Sequence, residues 1–396
     1  MNKKISAAVA SAALVLGSAS ANAGIIIPAG EWTLDVNGNV NVYATFHSFD
    51  DTAASTVTGG IAGKEDAAGE DASQSINTGL LPAWLGFTGT TRQNDLDVSF
   101  TISMQPNVSD NAASGDVQGA KWRQAFLTFG DKSWGTVKMG KDLGIFAGNA
   151  ILNDMTLLGV GASGFGTPNP GNKSGAMTTL GGIGSGYIYP AWKGQISYTT
   201  PNFNGFTATV GLMNPNQGAL NSTYYQDRFG LEAQLQYAFD AGKVWVSGAS
   251  YKSQVGASAE VDREAIDVGV NFNMGNLGVT AYYYDGDASG QIAYGLYGNT
   301  TAGAERESDG GYVQATYVIP SGTKLGVAYG VSNLDLANGE TNNSLVEENK
   351  RITVGAYHPL TKHLNLVAEY NRMESNAHGG EKNESDNLSL GAILFF

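Results

Sequence analysis

Apolar side chains alternate with small or polar ones along most of the chain, which is the pattern of a β-strand with one apolar and one polar face. From Phe229 to Phe239 every odd-numbered residue is apolar, whereas Glu232 and Gln234 lie between them. The same period of two recurs at 266–272, 325–331 and 364–371. A soluble β-sandwich has this alternation too, so the alternation predicts strands without choosing a fold.

The connections between the strands alternate strictly between short and long. We predict strands near 34–47, 83–92, 95–104, 120–130, 133–141, 194–200, 205–213, 225–239, 243–252, 262–274, 277–285, 307–318, 323–332, 348–359, 364–373 and 387–396. The long connections are 48–82, 105–119, 142–193, 214–224, 253–261, 286–306, 333–347 and 374–386. The short connections between them are rich in turn formers. This order places both ends of the strand series on the short-turn side, as in an outer-membrane barrel with periplasmic turns and extracellular loops.

Hydropathy excludes helical membrane spans but is compatible with a barrel. No segment after residue 23 approaches the roughly 18 consecutive apolar residues that a spanning helix needs, and the mean hydropathy is −0.15. A closed barrel needs apolar residues only at alternate positions, because its backbone groups pair around the ring. The chain also ends with apolar residues on one face, from Leu388 to Phe396. We therefore predict an all-β, transmembrane, antiparallel β-barrel of sixteen strands.

The first 23 residues have the order of a secretory signal peptide. Lys3 and Lys4 precede an apolar stretch at 5–16, and Ala21-Asn22-Ala23 follows as a cleavage motif. We expect cleavage to leave residues 24–396 as a barrel domain surrounded by outer-membrane lipid.

Charge and composition narrow the possible partners further. Without Lys3 and Lys4, 20 of the 22 basic side chains remain against 36 acidic ones, a formal charge of −16. Such a surface repels nucleic acid, so no nucleic-acid partner is expected. The absence of cysteine excludes disulfides and thiol chemistry. The four histidines form no H-x-x-H or H-x-x-x-H pair, and the G-x-G-x-x-G match at 159–164 lacks a preceding strand and a following helix. No catalytic residue, metal site or cofactor is predicted.

Three segments resemble the Gram-negative general porins. Residues 121–130 (KWRQAFLTFG) with 134–141 (WGTVKMGK) are similar to that family's R-Q-A-F and F-G-T-V-x-x-G-R segment, and 196–206 is similar to its Y-x-S-P-x-F-x-G-F hairpin. The terminal Phe396 resembles the family's signal for the barrel-assembly machinery. The resemblance implies a homotrimer of sixteen-stranded barrels. It also implies a third extracellular loop folded into each pore and a field between basic wall residues and acidic loop residues. The connection 142–193 is the longest, as that loop would be.

Strand parity selects candidate pore-lining residues. Arg92 and Lys138 face the lumen because the apolar positions 85, 87, 137 and 139 on their strands face lipid. Lys121 and Arg123 share a face, and the family resemblance places that arginine inward. The predicted basic ladder of the constriction is Arg92, Lys121, Arg123 and Lys138, with Arg123 as the leading candidate. An alternative is that these are solvated lumen charges at uneven heights with no constriction role.

The acidic side of the predicted constriction departs from the family. The family's Pro-Glu-Phe-Gly-Gly stretch is missing, and Asp154 is the only carboxylate between Asp142 and the next strand. Parity places further carboxylates in the lumen, namely Asp97, Glu232, Asp267 and Glu369. Together with the net charge they favour weak cation selectivity.

The function predicted from these observations is passive diffusion of small hydrophilic solutes and ions through a water-filled channel. A first alternative is a substrate-specific outer-membrane channel for sugars or organic acids. A second is a barrel without a channel, either a hydrolase or an adhesin. A soluble secreted β-protein is disfavoured by the alternation of short and long loops and by the aromatic C-terminus.

Overall fold

A closed ring of antiparallel strands forms the body of the protein in the computed structural model. The structure describes residues 24–52, 54–65, 68–106, 121–165, 178–214, 228–255 and 259–396. The expected signal peptide at 1–23, the predicted strand positions 120 and 225–227, and part of the connection 142–193 lie outside these residues.

Sixteen strands of the described residues make up the ring, which confirms the predicted barrel. They are β2 (Trp32–Phe49), β4 (Trp84–Gln93), β5 (Leu96–Gln105), β6 (Lys121–Asp131), β7 (Gly135–Leu143), β10 (Trp192–Thr199), β11 (Phe206–Met213), β12 (Gly230–Phe239), β13 (Gly242–Val255), β14 (Ala259–Met274), β15 (Leu277–Asp287), β16 (Glu307–Val318), β17 (Lys324–Leu334), β18 (Val346–Pro359), β19 (Leu364–Ala377) and β20 (Lys382–Phe395). Consecutive members of this series pair with each other. The observed ends differ from the predicted ones by a few residues.

The last strand closes the ring on the first. β20 pairs with β2 from Asn39↔Phe395 to Phe49↔Ser385. Next to the Asn39↔Phe395 pair, the backbone of Phe396 exchanges two hydrogen bonds with Gly38, at 2.8 and 3.0 Å. Closure of this kind leaves no unpaired edge facing lipid.

Several short elements were not predicted. β1 (Ile25–Ala29) pairs with the start of β2, and β3 (Ala72–Asn77) pairs with Tyr43–Ser48 of β2. The connection between β7 and β10 contains α1 (Gly148–Asn153), a 3₁₀ helix (Met155–Leu158) and the hairpin of β8 (Ala162–Phe165) and β9 (Thr178–Gly181). No helix among the described residues is long and apolar enough to span a membrane.

The two faces of the wall differ as the alternation requires. On β14, Ile266 and Val268 point outward and are 57% and 53% exposed, whereas Asp267 points inward and is 1% exposed. β18 and β20 follow the same rule, with outward Val354 and Leu390 and inward asparagine, serine and threonine. The outer surface is therefore apolar and the inner surface polar, as an outer-membrane barrel requires.

One irregularity lies on β6. Ser103 of β5 pairs with Gln124, but the next residue, Met104, pairs with Trp122. Arg123 is therefore the extra residue of a β-bulge. A bulge changes the direction in which nearby side chains point. This one interrupts the inward and outward alternation of β6 at Arg123, the leading candidate for the constriction.

The buried core lies inside the barrel rather than between layers. Phe146, Ile151 and Val160 of the connection between β7 and β10 pack with inward wall residues such as Tyr312 and Tyr357. At the long-loop end, a smaller apolar cluster includes Val57, Leu334 and Leu345. There Arg306 also forms a two-pronged ion pair with Glu340, with distances of 2.8 and 2.5 Å.

Candidate functional site

The described part of the connection between β7 and β10, residues 144–165 and 178–191 (hereafter the inner loop), folds into the lumen and is bound to the wall by carboxylates. Glu232 of β12 accepts hydrogen bonds at Oε2 from the backbone N–H groups of Ile145 (2.6 Å) and Phe146 (3.0 Å). Its Oε1 accepts from Lys193 Nζ at 2.5 Å and from the Tyr251 hydroxyl at 2.8 Å. Hydrogen bonds to ionised groups are among the stronger ones in proteins, so this end of the inner loop is firmly held.

Asp267 of β14 holds the next residue of the inner loop. Its Oδ2 accepts from Ala147 N at 3.0 Å, and its Oδ1 accepts from Ser247 N at 3.0 Å and from Ser247 Oγ at 2.6 Å. Ala147 has φ of 58°, a left-handed conformation that non-glycine residues rarely adopt. The hydrogen bond that Ala147 donates to Asp267 therefore helps fix a strained residue immediately before α1.

Glu369 of β19 holds the far side of the inner loop. Its Oε2 accepts from Val160 N (2.9 Å) and Gly161 N (2.8 Å), and its Oε1 accepts from the Tyr357 hydroxyl (2.6 Å). A Cβ on Gly159 would lie only 2.0 Å from Glu369 Oε1. The glycine-rich stretch that begins at Gly159 thus lets the backbone approach a wall carboxylate.

Uncharged side chains complete the attachment. Gln314 of β16 accepts from Met155 N at 2.8 Å and donates to Asn153 O at 2.7 Å. The Tyr312 hydroxyl donates to Ala150 O at 2.8 Å. The polar backbone of the inner loop is satisfied by wall side chains, which lets irregular backbone lie at membrane depth.

Asp154 lies between α1 and the 3₁₀ helix and is 4% exposed. Its Oδ1 accepts from Thr156 N and Oγ1 at 2.9 and 2.7 Å, and its Oδ2 accepts from Gly182 N at 2.9 Å and the Tyr187 hydroxyl at 2.8 Å. The same Oδ2 is 3.8 Å from Arg351 Nη2 of β18. Asp154 therefore organises the inner loop and faces an arginine on the wall.

The predicted basic residues do not form one ladder. Lys138 is half-buried in the lumen, where its Nζ is 2.5 Å from Asp142 Oδ2 and 4.9 Å from the centre of the Phe126 ring. Arg92 lies near the short turn between β4 and β5 with its side chain 49% exposed, and it pairs with Asp97 (2.7 Å) and Asp131 (3.1 Å). Asp97, which was predicted as a lumen carboxylate, thus forms an ion-pair group with Arg92 and Asp131 near the short-turn end of the strands.

Lys121 and Arg123 lie at the long-loop end of β6. Lys121 is exposed and pairs in register with the inward residue Gln105 of β5. Arg123 is half-buried in the bulge and is close enough to Tyr189 of the inner loop to influence its hydroxyl. Burial raises the pKa of Tyr189 above its usual value, and the positive charge of Arg123 opposes that rise. Among the predicted basic residues, Arg123 is thus an electrostatic neighbour of the inner loop.

Several inward basic residues were not predicted from the sequence, although strand parity could have found them. Arg351 faces Asp154 of the inner loop, and Lys193 pairs with Glu232, as described above. Lys243 donates to Asn149 Oδ1 at 2.7 Å and lies 5.6 Å from the centre of the Trp245 ring. Lys324 lies 4.9 Å from the centre of the Tyr357 ring. Outward apolar residues at 196, 244, 325 and 352 mark the opposite face of each strand.

The inner loop narrows the lumen at about mid-height. Inward residues at its level are shielded from water, and Thr353, Asn371 and Asn387 are each 0% exposed. Nearer the short turns, inward residues such as Asn271 and Thr316 are only half-buried. The polar interior is therefore more open between the inner loop and the short turns than at the level of the loop. The described residues contain no group of three His, Asp or Glu side chains that could hold a metal ion.

Comparisons with known proteins agree with this architecture. A family model described as Gram-negative porin matches residues 10–378. The outer membrane channel DcaP of Acinetobacter baumannii is 16% identical with a TM-score of 0.68, and the match covers 94% of this chain and all of that one. OmpF of Salmonella typhi, in complex with daunomycin, is 16% identical with a TM-score of 0.60, and the match covers 94% of this chain and all of that one. OmpT of Vibrio cholerae in a trimer form is 14% identical with a TM-score of 0.56, over 92% of this chain and 99% of that one. No curated protein sequence matches the chain.

Proposed function

This chain belongs to the Gram-negative porin family and forms a non-enzymatic outer-membrane channel, and from that premise we propose that it conducts small hydrophilic solutes and ions by passive diffusion. The observation that carries the proposal is the inner loop, which is attached to a polar inner wall by Glu232, Asp267 and Glu369. A loop fixed inside a polar lumen screens solutes by size and charge without an energy source.

The proposal includes export, assembly and oligomeric state. The signal at 1–23 is removed, and residues 24–396 reach the outer membrane, where the barrel-assembly machinery recognises the C-terminal Phe396. The barrels associate as a homotrimer, which the family resemblance and the trimer form of the Vibrio cholerae OmpT support.

Charge selectivity is set by side chains that line the lumen rather than by the net charge. Several carboxylates inside the barrel are already paired, as Glu232 is with Lys193 and Asp142 with Lys138. The remaining contribution comes from groups whose described hydrogen-bond partners are uncharged. Lys243 has an amide and an aromatic ring as neighbours, and the carboxylates of Asp267 and Glu369 accept from backbone and hydroxyl donors. Local charge near the path of the ion outweighs distant surface charge, which salt screens.

The proposal is tested by single-channel recording on refolded 24–396 protein in planar bilayers, with reversal potentials measured in a salt gradient. Arg123→Ala and Asp154→Asn are compared with the parent. Arg372→Ala and Asp386→Asn are matched controls, because both residues lie on the outer face and pair with each other at 3.0 Å.

We expect open channels whose conductance appears in groups of three. We also expect the lumen variants, but not the outer-face variants, to alter the ion selectivity. A folded protein that conducts no ions would overturn the diffusion proposal. Equal effects of lumen and outer-face variants would show that Arg123 and Asp154 do not lie along the ion path.

A further inference from the structure

Hydrogen-bond donors without partners are concentrated at one point of the inner wall. Among the described residues, Nε and Nη2 of Arg351 and Nδ2 of Asn371 are buried and have no hydrogen-bond partner. Arg351 is 1% exposed and Asn371 is 0% exposed. A buried donor without an acceptor is costly, and a charged guanidinium is the costliest case, so this arrangement requires an explanation.

The three donors belong to one connected group. Arg351 Nη1 donates to Thr353 Oγ1 at 2.5 Å, and Thr353 Oγ1 donates to Asn371 Oδ1 at 2.5 Å. These two bonds fix the orientation of both end groups. The amide of Asn371 therefore has its oxygen occupied and its nitrogen available, while the guanidinium is held by one nitrogen only.

The available edge of the guanidinium has the geometry of an oxyanion receptor. Nε–H and one N–H of Nη2 point in the same direction from the planar group, which forms a two-pronged fork. Such a fork matches the two oxygens of a carboxylate, and bidentate pairs of this kind are strong and geometrically specific. The adjacent amide adds a further donor for the same ligand.

Asp154 does not satisfy this fork. Its nearest approach to Arg351 is 3.8 Å, which is an ion pair without a hydrogen bond. Both of its oxygens are instead occupied by four donors of the inner loop itself, at Thr156, Gly182 and Tyr187. Asp154 therefore neutralises the charge of Arg351 while leaving its directional donors unused.

We infer that Arg351 and Asn371 form a binding site inside the channel for the carboxylate group of a small organic acid. This deepens the proposed function, on which it rests, by assigning a class of preferred solute. The carboxylate reaches the fork when the inner loop moves away from β18 and carries Asp154 with it. Loop closure and ligand binding then compete for the same arginine.

At Gly182 the fork is covered by loop backbone. A Cβ on Gly182 would lie 2.8 Å from Arg351 Nη2 and 2.9 Å from Asp154 Oδ2. The inner loop thus covers the guanidinium with a residue that has no side chain. Gly182 thus adds no side chain above the guanidinium, and Asp154 and Tyr187 move with the loop when it withdraws from β18.

The test is calorimetric titration of the refolded 24–396 protein in detergent with sodium succinate, and with neutral succinamide as the uncharged match. Succinate is expected to bind and succinamide is not. Arg351→Gln is expected to weaken succinate binding about tenfold or more, because it removes charge-assisted hydrogen bonds. Arg372→Gln, on the outer face of β19, is the matched control and is expected to bind like the parent.

Two further variants keep the inference falsifiable if Arg351→Gln does not fold. Asp154→Asn removes the competing carboxylate and is expected to tighten succinate binding several-fold, because more of the protein is competent to bind. Asn371→Asp keeps the shape but adds a carboxylate beside the fork, and it is expected to weaken succinate binding. Heat-modifiable migration on gels confirms that each variant forms a barrel.

Equal binding of succinate and succinamide, or unchanged affinity in all three lumen variants, would overturn the site. Titration does not depend on conduction, so the two proposals can fail separately. If the protein conducts salt but binds no succinate, only the carboxylate site is rejected. If it binds succinate but never conducts, only the diffusion proposal is rejected.

Discussion

Replacing Glu369 with glutamine is expected to loosen one side of the inner loop while leaving the barrel intact. Glu369 accepts two backbone N–H bonds, from Val160 at 2.9 Å and Gly161 at 2.8 Å, at a single carboxylate oxygen. Glutamine has the same shape and retains one acceptor, so the change removes mainly the charge.

The size of the effect follows from the two bonds. A hydrogen bond to a charged group contributes about 1 kcal/mol more than a neutral one, so the pair loses about 2 kcal/mol. Since each 1.4 kcal/mol is a factor of ten, release of this side of the loop becomes about 30-fold more frequent. The Tyr357 hydroxyl, which donates to the other oxygen at 2.6 Å, then faces the amide NH2 and accepts a hydrogen bond from it instead of donating one.

Hydrogen exchange of the protein in detergent measures this release directly, because the amides of Val160 and Gly161 must leave Glu369 before they exchange. We expect their protection to fall about 30-fold in Glu369→Gln. Glu374→Gln is the matched control, since Glu374 lies on the same strand but pairs with Lys350 and Lys382 on the outer face. Glu232→Gln is expected to expose Ile145 and Phe146 instead.

If protection at Val160 and Gly161 changes less than about threefold, the two hydrogen bonds contribute little to loop attachment, and the proposed role of Glu369 is refuted. A uniform loss of protection across the barrel would also refute it. In that case Glu369 would stabilise the wall rather than the inner loop.

Three further predictions concern the inner loop, the lumen charge and the outer loops. Gly159→Ala places a Cβ 2.0 Å from Glu369 Oε1 and is expected to weaken loop attachment by about 1 to 3 kcal/mol, seen as faster exchange at residue 160 but not at residue 145. Lys243→Gln removes a positive charge from the lumen and is expected to shift the reversal potential toward cation selectivity; a shift in the opposite direction would contradict its placement. The hydrogen bond from Arg306 holds the pKa of Glu340 below its usual value of 4.5, so the stabilisation is complete above pH 4.5 and fades as the pH falls through the lower folded value. Limited proteolysis of the loops around 300 and 340 is therefore expected to accelerate in acid, and this acceleration should be absent in Glu340→Gln.

The strands could be predicted from the sequence because their signal is local. A period of two over ten residues identifies both the strand and its inward face, so the positions of Glu232, Asp267 and Glu369 follow from parity. Their partners do not follow, because each bonds a backbone N–H about 90 to more than 200 residues away along the chain. Neither spacing nor composition encodes which loop amide meets which wall carboxylate.

The unpredicted elements have the same explanation. β3 and the 3₁₀ helix carry no long periodic pattern and form because neighbouring segments offer hydrogen-bond partners. The bulge at Arg123 is a further case, since one extra residue reverses the parity that assigns faces along a strand. The roles of Arg92, Lys121 and Lys138 in conduction remain predictions, and the recordings test those of Arg123 and Asp154.

The pairing of β20 with β2 also constrains how the molecule is made. The two partners lie at opposite ends of the chain, so synthesis of the first strand precedes that of its neighbour by nearly the whole translation time. Until then β2 exposes an unsatisfied edge that could recruit another chain. Contacts between such distant segments form slowly, because a long loop must close first. The nascent protein must therefore be kept from folding while it crosses the periplasm, and loss of even a few C-terminal residues would leave a sheet that cannot seal.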